Sequence, residues 1–574
     1  MKLCFEPNDF DTQIALNSNS AGDIEFYDVS IKNPMLKDIS KVTLVCDVPM
    51  GKAFSTWNPM AYFRRALQEN WNWPKFPTRI CIGAPVQSVI GINGENIMTV
   101  AASDAKTPMN FMSGFDEKTG NIKFAIELFT LPVQKFEEYK TTIRVDKRNI
   151  PFYKAIQDVS AWWDNEYSRS DVPEAAREMV YSIWYNFHQN IDVDKVVKEC
   201  KEAYALGMKT VIVDDGWQTE NNAGGYAYCG DWKVASNKIA DMKSFVDRIH
   251  DIGMKFILWY SVPYVGKYTE AYEKFRGKFL YFNNMGYGAL DPRYPEVREY
   301  LIDLYESAVR DWGLDGLKLD FIDAFRLEDT EKFDEAWDIP VLENAIEQLL
   351  KDIKNRLSAI NKDLCLEFRQ SYFGPAVTQC GNMLRVGDCA GDSLKNRVGS
   401  IDLRLISGKT AVHSDMLMWD MKNTPENAAL QLINVLFAVP QISVFIGELP
   451  KKHKKMLKFY LDFWNENRHI LLDGIFKVEN PEANYSSASA ETDSEIVIVS
   501  YSENLLELKK EYDRIVCVNG TGKDVLVIRS DVDLTSKVFT IKDCMGNIIE
   551  TGVIKNNGHL VEFDIPQSGT IEIN

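Results

Sequence analysis

The 574-residue chain has few histidines, only six, at 188, 250, 413, 453, 469 and 559, and no two stand at the spacing of a metal-binding helix motif such as H-E-x-x-H. A metal site is not expected, and no cofactor is implied. The ten cysteines are scattered, with no C-x-x-C pair and no dense framework, which argues against a disulfide scaffold and fits a reducing cytoplasm. There is no block of Lys or Arg, and the formal net charge is −18, so neither a nucleic-acid backbone nor an anionic membrane surface is an expected partner. No apolar stretch reaches transmembrane length, and MKLCFEPNDFDTQ lacks the charged and apolar regions of a secretory leader. A phosphate-cradling G-x-G-x-x-G after the first strand of the central region is also missing, which disfavours a doubly wound nucleotide-binding sheet.

What the chain does contain is apolar and aromatic material: 45% hydrophobic residues, 12% aromatics and 13 Trp. That suits a well-packed globular protein, and the length exceeds what one core usually organises. Up to about Asp146, short alternating runs such as KVTLVCDV, ENIMTV, IKFAIELF and YKTTIRV predict a β-sandwich over 1–150. AIQDVSAWWDNEY and PEAAREMVYSIW then read as helical. From SIWYNF onward, strand-like runs alternate with amphipathic segments: TVIVDDGW, KFILWY, GLKLDF, LCLEFRQ, MLRVGD, TAVHSD and ISVFIG follow, eight strands in all. Eight such units predict a (β/α)8 barrel over 151–470. EIVIVSYS, RIVCVNG, DVLVIRS, KVFTIKD, HLVEFDI and GTIEIN return to alternation, so a C-terminal β-sandwich is expected over 471–574.

Barrel enzymes place their chemistry at the C-terminal ends of the strands. Here those ends are charged or polar one after another: Asp214 and Asp215, Trp259, Lys318 with Asp320, Arg369 and Gln370, Arg385 with Asp388, and His413 with Asp415. A lone Asp in such a place is commonly a helix cap. A whole ring of them, with Lys and Arg interspersed, is costly to bury without function or pairing. Two converging carboxyls with no Ser or Cys nucleophile motif fit glycoside hydrolysis, in which one carboxyl attacks or activates water and the other protonates the leaving oxygen. Lys318 is two residues from Asp320 and shares its face of the strand, so it can keep that carboxylate ionised.

VDDGW, LKLDF and the R-x-G-D of LRVGDCAGD resemble the strand-2, strand-4 and strand-6 motifs of the family 36 α-galactosidases of the melibiase superfamily. The resemblance implies a retaining double displacement with Asp320 as nucleophile and Asp388 as general acid/base, Asp392 being the alternative because some members place that acid one residue later, where this chain has Cys389. It further implies that Asp214 and Asp215 hold the galactose O4 and O6 hydroxyls, Lys318 the O3/O4 edge and Arg385 the region near O2, with Trp259 walling the pocket. An aromatic of the N-terminal domain reaches the barrel mouth in several members; Trp57, or one of Trp71 and Trp73, would do so here. Asp392 is equally placed to cap the following helix, and Asp323 reads as a cap rather than a third acid.

The expected activity is exo-cleavage of terminal α-galactose from small oligosaccharides. An α-N-acetylgalactosaminidase, or a transglycosylating enzyme on the same machinery, differs only in the C2 pocket or the acceptor. A carbohydrate-binding protein without activity would need neither Asp320 nor Asp388, and a metal-dependent hydrolase would need a ligand pattern that the histidines do not supply. The loop NNAGGYAYCGDWKVAS after the second strand is a candidate lid.

Overall fold

The computed structural model describes residues 4–6, 13–34, 41–131, 136–327, 333–555 and 558–574. Most of the opening segment read above for a leader lies outside the described residues. Among the described residues no helix is long and apolar enough to cross a membrane.

The centre of the molecule is a (β/α)8 barrel. Its strands are β1 (Val180–Ser182), β2 (Thr210–Val213), β3 (Lys255–Ser261), β4 (Gly316–Asp320), β5 (Cys365–Arg369), β6 (Met383–Arg385), β7 (Ala411–His413) and β8 (Gln441–Ile442), all parallel and hydrogen-bonded in that order. The strand β8 pairs with β1, and bridges His413–Val439 and Leu417–Ile442 bring the other edge round to close the ring. Every residue of β2 and β4 is buried, as a strand covered on both faces requires.

The helices that matter below are α1 (Phe152–Trp163), α2 (Val193–Ala205), α3 (Met242–His250), α4 (Pro295–Trp312), α5 (Leu342–Ile360), α6 (Ser393–Ile406), α7 (Pro425–Ile433) and α8 (Lys451–Asp473). Their starts are written locally: Asp192, Asp241, Asp392 and Thr424 each accept a hydrogen bond from the backbone N–H three residues on. The helix α4 has Pro295 at its first turn and ends at Gly313, in the left-handed region.

On the N-terminal side two antiparallel sheets of five and six strands pack around their own apolar core, and on the C-terminal side a seven-stranded and a three-stranded sheet do the same. Two local expectations need correction. The first barrel strand is VYS and not SIWYNF, because Trp184–Phe187 forms a helical turn; likewise PEAAREMVYSIW is not one helix but a 3-10 turn at Glu174–Arg177 followed by β1. A short, fully buried strand and a buried helical segment carry the same apolar signal, and only the pairing of β1 with β2 and β8 decides between them.

The three parts meet at one buried carboxylate. Asp402 of α6 accepts from Arg65 at 2.7 and 2.9 Å and from Trp57 at 3.0 Å, both on the N-terminal side, and from Tyr485 on the C-terminal side. Arg65 and Asp402 are 1% and 0% exposed. Asp402→Ala would leave the guanidinium buried without its counter-charge, a change that typically destabilises by about 3–5 kcal/mol. Urea unfolding should show that loss, and a midpoint within error of wild type would exclude the anchoring role.

Candidate active site

The catalytic candidates gather at the C-terminal mouth of the barrel. Asp320 ends β4 and is 6% exposed. Its two oxygens are held unequally. Oδ1 accepts from Arg369 Nε at 2.6 Å, the Phe321 backbone N–H at 2.8 Å and Tyr372 Oη at 2.9 Å, whereas Oδ2 accepts from Trp259 Nε1 at 3.0 Å. Burial pushes this carboxyl up, but Arg369, then Lys318 and Arg385, and the Trp259 hydrogen bond outweigh it and hold the group far below the usual range.

Lys318 is therefore not the foremost cation on Asp320. Its Nζ lies 2.5 Å from Asp214 Oδ2, and Asp214 Oδ1 in turn accepts from the Asp215 N–H at 2.9 Å. Asp215 accepts from Gln218 at 2.7 Å and Gln189 at 2.8 Å; burial raises its pKa, and the neighbouring Asp214 adds to the rise. The glycine of VDDGW is required by geometry, since Gly216 has φ +112° and a Cβ there would meet Gln189 Cα at 2.6 Å. Trp217 donates to the carbonyl of Trp259 at 2.9 Å and so ties the ends of β2 and β3 together.

Arg385 is the hub between β5, β6 and β7. Its guanidinium donates to Asp388 Oδ1 at 3.0 Å, to Asp415 and to the Val386 carbonyl, and its Nε lies 3.5 Å from buried Glu367. Asp415 also accepts from Tyr185 Oη at 2.9 Å and from the Cys389 N–H at 2.7 Å, so it fixes the loop that carries Asp388. The Asp388 side chain is 66% exposed. Desolvation at its position raises its pKa, but Arg385 and then Arg369 prevail and keep it below the ordinary value. Asp392 accepts from the Lys395 N–H at 2.9 Å as the cap of α6. His413 is turned away from the mouth: its Nε2 bonds the Ala176 carbonyl at 2.8 Å, and burial lowers its pKa to about 4.

Trp57 is not at the mouth, contrary to the expectation for it. Its indole is 0% exposed and spent on Asp402 and Tyr485, so it cannot wall a sugar. Trp71 is 68% exposed, and the ring of Trp73 packs over Gly114. On the N-terminal side Tyr62 is felt electrostatically by Arg369, Asp323 and Cys389, and burial together with Asp402 pushes its phenol up to about 12. Nearby, Arg79 clamps the segment after β4 through the carbonyls of Phe325 at 2.6 Å and Asp323 at 3.0 Å. Asp323 itself accepts from Ser371 Oγ at 3.1 Å and is raised by burial.

The candidate lid is pinned on one side by Trp232, which packs against Trp217 and Trp259 with ring centroids 5.8 Å away in each case. On the other side it presents Tyr226, whose ring meets Phe321 at 4.9 Å, Tyr264 at 5.1 Å and Tyr287 at 5.3 Å. Asp320 and Asp215 both act electrostatically on the Tyr226 hydroxyl. Tyr226, Tyr372, Tyr185 and Gln189 were missed by sequence reasoning. Only Tyr372 carried a usable signal, being three residues beyond Arg369 at a strand end.

An opposite charge beside a carboxyl typically moves its pKa by roughly 1–3. Arg369→Met should therefore raise the acid limb of the kcat/KM profile by an amount in that range, since Asp320 would take up a proton at higher pH. An unmoved acid limb would show that Arg369 does not set the charge of Asp320.

Residues 155–327 match the family model described as Melibiase. Over 173 residues the chain is 25% identical to the A type blood alpha-D-galactosamine galactosaminidase of Flavonifractor plautii, covering 26% of this chain and 15% of that protein. Over 109 residues it is 28% identical to the bifunctional alpha-galactosidase/sucrose kinase AgaSK of Mediterraneibacter gnavus, covering 19% and 12%. These matches span well under two thirds of the relatives' lengths. A solved structure of a doubly substituted variant of the GH36 alpha-galactosidase AgaA from Geobacillus stearothermophilus, in complex with raffinose, superposes with a TM-score of 0.67 over 98% of this chain and 81% of that one, at 13% identity.

Proposed function

We propose that this chain, with its Melibiase segment on a (β/α)8 barrel, is a retaining exo-α-galactosidase that removes terminal α-galactose from small oligosaccharides. The observation that carries the reading is the pair Asp320 and Asp388 at one barrel mouth, both under the field of Arg385 and Arg369.

The unequal hydrogen bonding of Asp320 supports a division of roles between its two oxygens. Oδ1 is anchored by three donors, and Oδ2, with Trp259 alone of the described partners, is the oxygen that attacks the anomeric carbon. As that bond forms, Asp388 delivers a proton to the departing oxygen, and a glycosyl ester of Asp320 results. Bound sugar covers Asp388 and so favours the protonated form needed for this step. Once esterified, Asp320 no longer carries the negative charge that raises the pKa of Asp388. Asp388 then returns to an ionised base, takes a proton from water, and the hydroxide oxygen displaces Asp320 with overall retention. Asp214, paired with Lys318, and Asp215, held by two glutamines, accept sugar hydroxyls on the β2 side; Arg385 and Trp259 complete the sugar site.

A second reading, cleavage of an α-linked galactosamine or N-acetylgalactosamine, is favoured by the name of the Flavonifractor relative. A panel of aryl α-glycosides separates the two: fastest turnover is expected on the galactoside, with the α-anomer as first product by NMR. Fastest turnover on a galactosaminide moves the substrate to the second reading. A β-anomeric first product would remove the double displacement. Nine of the cysteines are buried, and among the described residues no disulfide links any of them, which supports a reducing, cytoplasmic setting.

A further inference from the structure

On the face opposite the catalytic mouth, a cleft of about 920 Å³ opens where the start of β7, the ends of α6 and α8, helix α1 and the residues before β1 converge. Its charge runs against that of the chain. Five cations line it, Lys154, Arg169, Arg177, Arg404 and Lys409, against the three carboxylates of Asp164, Asp171 and Asp473, in a protein of net charge −18.

Three of the cations are matched: Arg169 with Asp164 at 2.6 Å, Arg177 with Asp473 at 2.6 Å and Lys154 with Asp158 at 2.9 Å. Arg404 is not. Among the described residues it has no ion pair within 4 Å; its Nη2 reaches the Leu471 carbonyl at 3.3 Å, and its Nε is buried without a hydrogen-bond partner. Burial, offset in part by Asp473 and reinforced by Arg177, lowers its pKa to about 10. Beside it Thr410, 2% exposed and lining the same cleft, holds a hydroxyl with no partner among the described residues. A buried donor left unmet costs about 1–3 kcal/mol, and more when charged. Two such donors on one wall, one of them on a guanidinium without an ion pair, are what an oxyanion would satisfy.

We propose that this cleft binds a small phosphorylated metabolite, its phosphate held by Arg404 and Thr410 and its remainder filling the cavity. A volume in the range of small-molecule sites is far more than a free phosphate needs. The binding is independent of the reaction assigned to the opposite face.

Calorimetric titration at constant ionic strength, with inorganic phosphate and with a hexose 6-phosphate as probes, tests it. Saturable one-to-one binding is expected for both, tighter for the hexose phosphate. Arg404→Gln should weaken it roughly tenfold or more, as loss of a charge-assisted hydrogen bond implies, and Thr410→Val should weaken it several-fold. Lys195→Gln, on the exposed face of α2, should bind as wild type does. If Arg404→Gln fails to fold, Thr410→Val and Lys409→Gln carry the comparison. Absence of saturable binding overturns the proposal, as does unchanged affinity in the cleft variants. Equal affinity for the two probes overturns the metabolite and leaves a phosphate site.

Discussion

Asp320→Ala is expected to abolish turnover of α-galactosides, with kcat falling by at least about 10⁴-fold, the scale seen when one member of a catalytic set is removed. The size of the effect follows from how completely the site is organised around this carboxylate. Three cations, a phenol, an indole and a backbone N–H act on it, and alanine leaves all of them without the charge they were arranged to hold. Because the loss is of an attacking atom, it should be repairable from outside. In Asp320→Gly, azide entering the vacated space should attack the anomeric carbon and yield a β-glycosyl azide. Rapid cleavage by Asp320→Ala without any added nucleophile would take the attacking role away from this residue.

The second large effect depends on the leaving group. Asp388→Ala should lower kcat/KM by roughly 10²–10⁴-fold for substrates whose leaving oxygen needs a proton, the usual contribution of a general acid. Nitrophenyl galactosides, which depart without protonation, should lose far less in the glycosylation step and instead accumulate the glycosyl-enzyme, visible as a burst. The variant should also lose the basic limb of the pH profile, because that limb reports the proton on Asp388. Equal losses on good and poor leaving groups would assign Asp388 to binding alone. Asp392→Ala, by contrast, removes a helix cap and should cost about 1 kcal/mol of stability while leaving the leaving-group dependence as in wild type.

Much of this site was legible because barrel strands advertise themselves. An apolar run ending in charge, as in GLKLDF and LRVGD, places Asp320 and Arg385 at the mouth without any knowledge of their neighbours. The same logic failed where a partner comes from far along the chain. Lys318 stands beside Asp320 in sequence and shares its face, yet it bonds Asp214 on the strand two positions round the ring, while Arg369 from the next strand takes Asp320. Trp57 failed for a related reason: nothing in an isolated Trp tells whether its indole meets a ligand or a buried carboxylate 345 residues away.

Burial periodicity and strand-end polarity are local properties that survive without coordinates, and the order of residues was therefore enough to fix the architecture and the chemistry-bearing strand ends. It also placed Asp320 and Asp388 as the pair to watch. Folding in three dimensions had to be seen to learn which cation tunes which carboxylate, which oxygen of Asp320 carries fewer hydrogen bonds, that Trp57 is spent on a buried carboxylate, and that an arginine without an ion pair lines a cleft on the opposite face. Those are outcomes of distance between residues remote in sequence, and electrostatic and hydrogen-bond energies depend on that distance rather than on spacing along the chain.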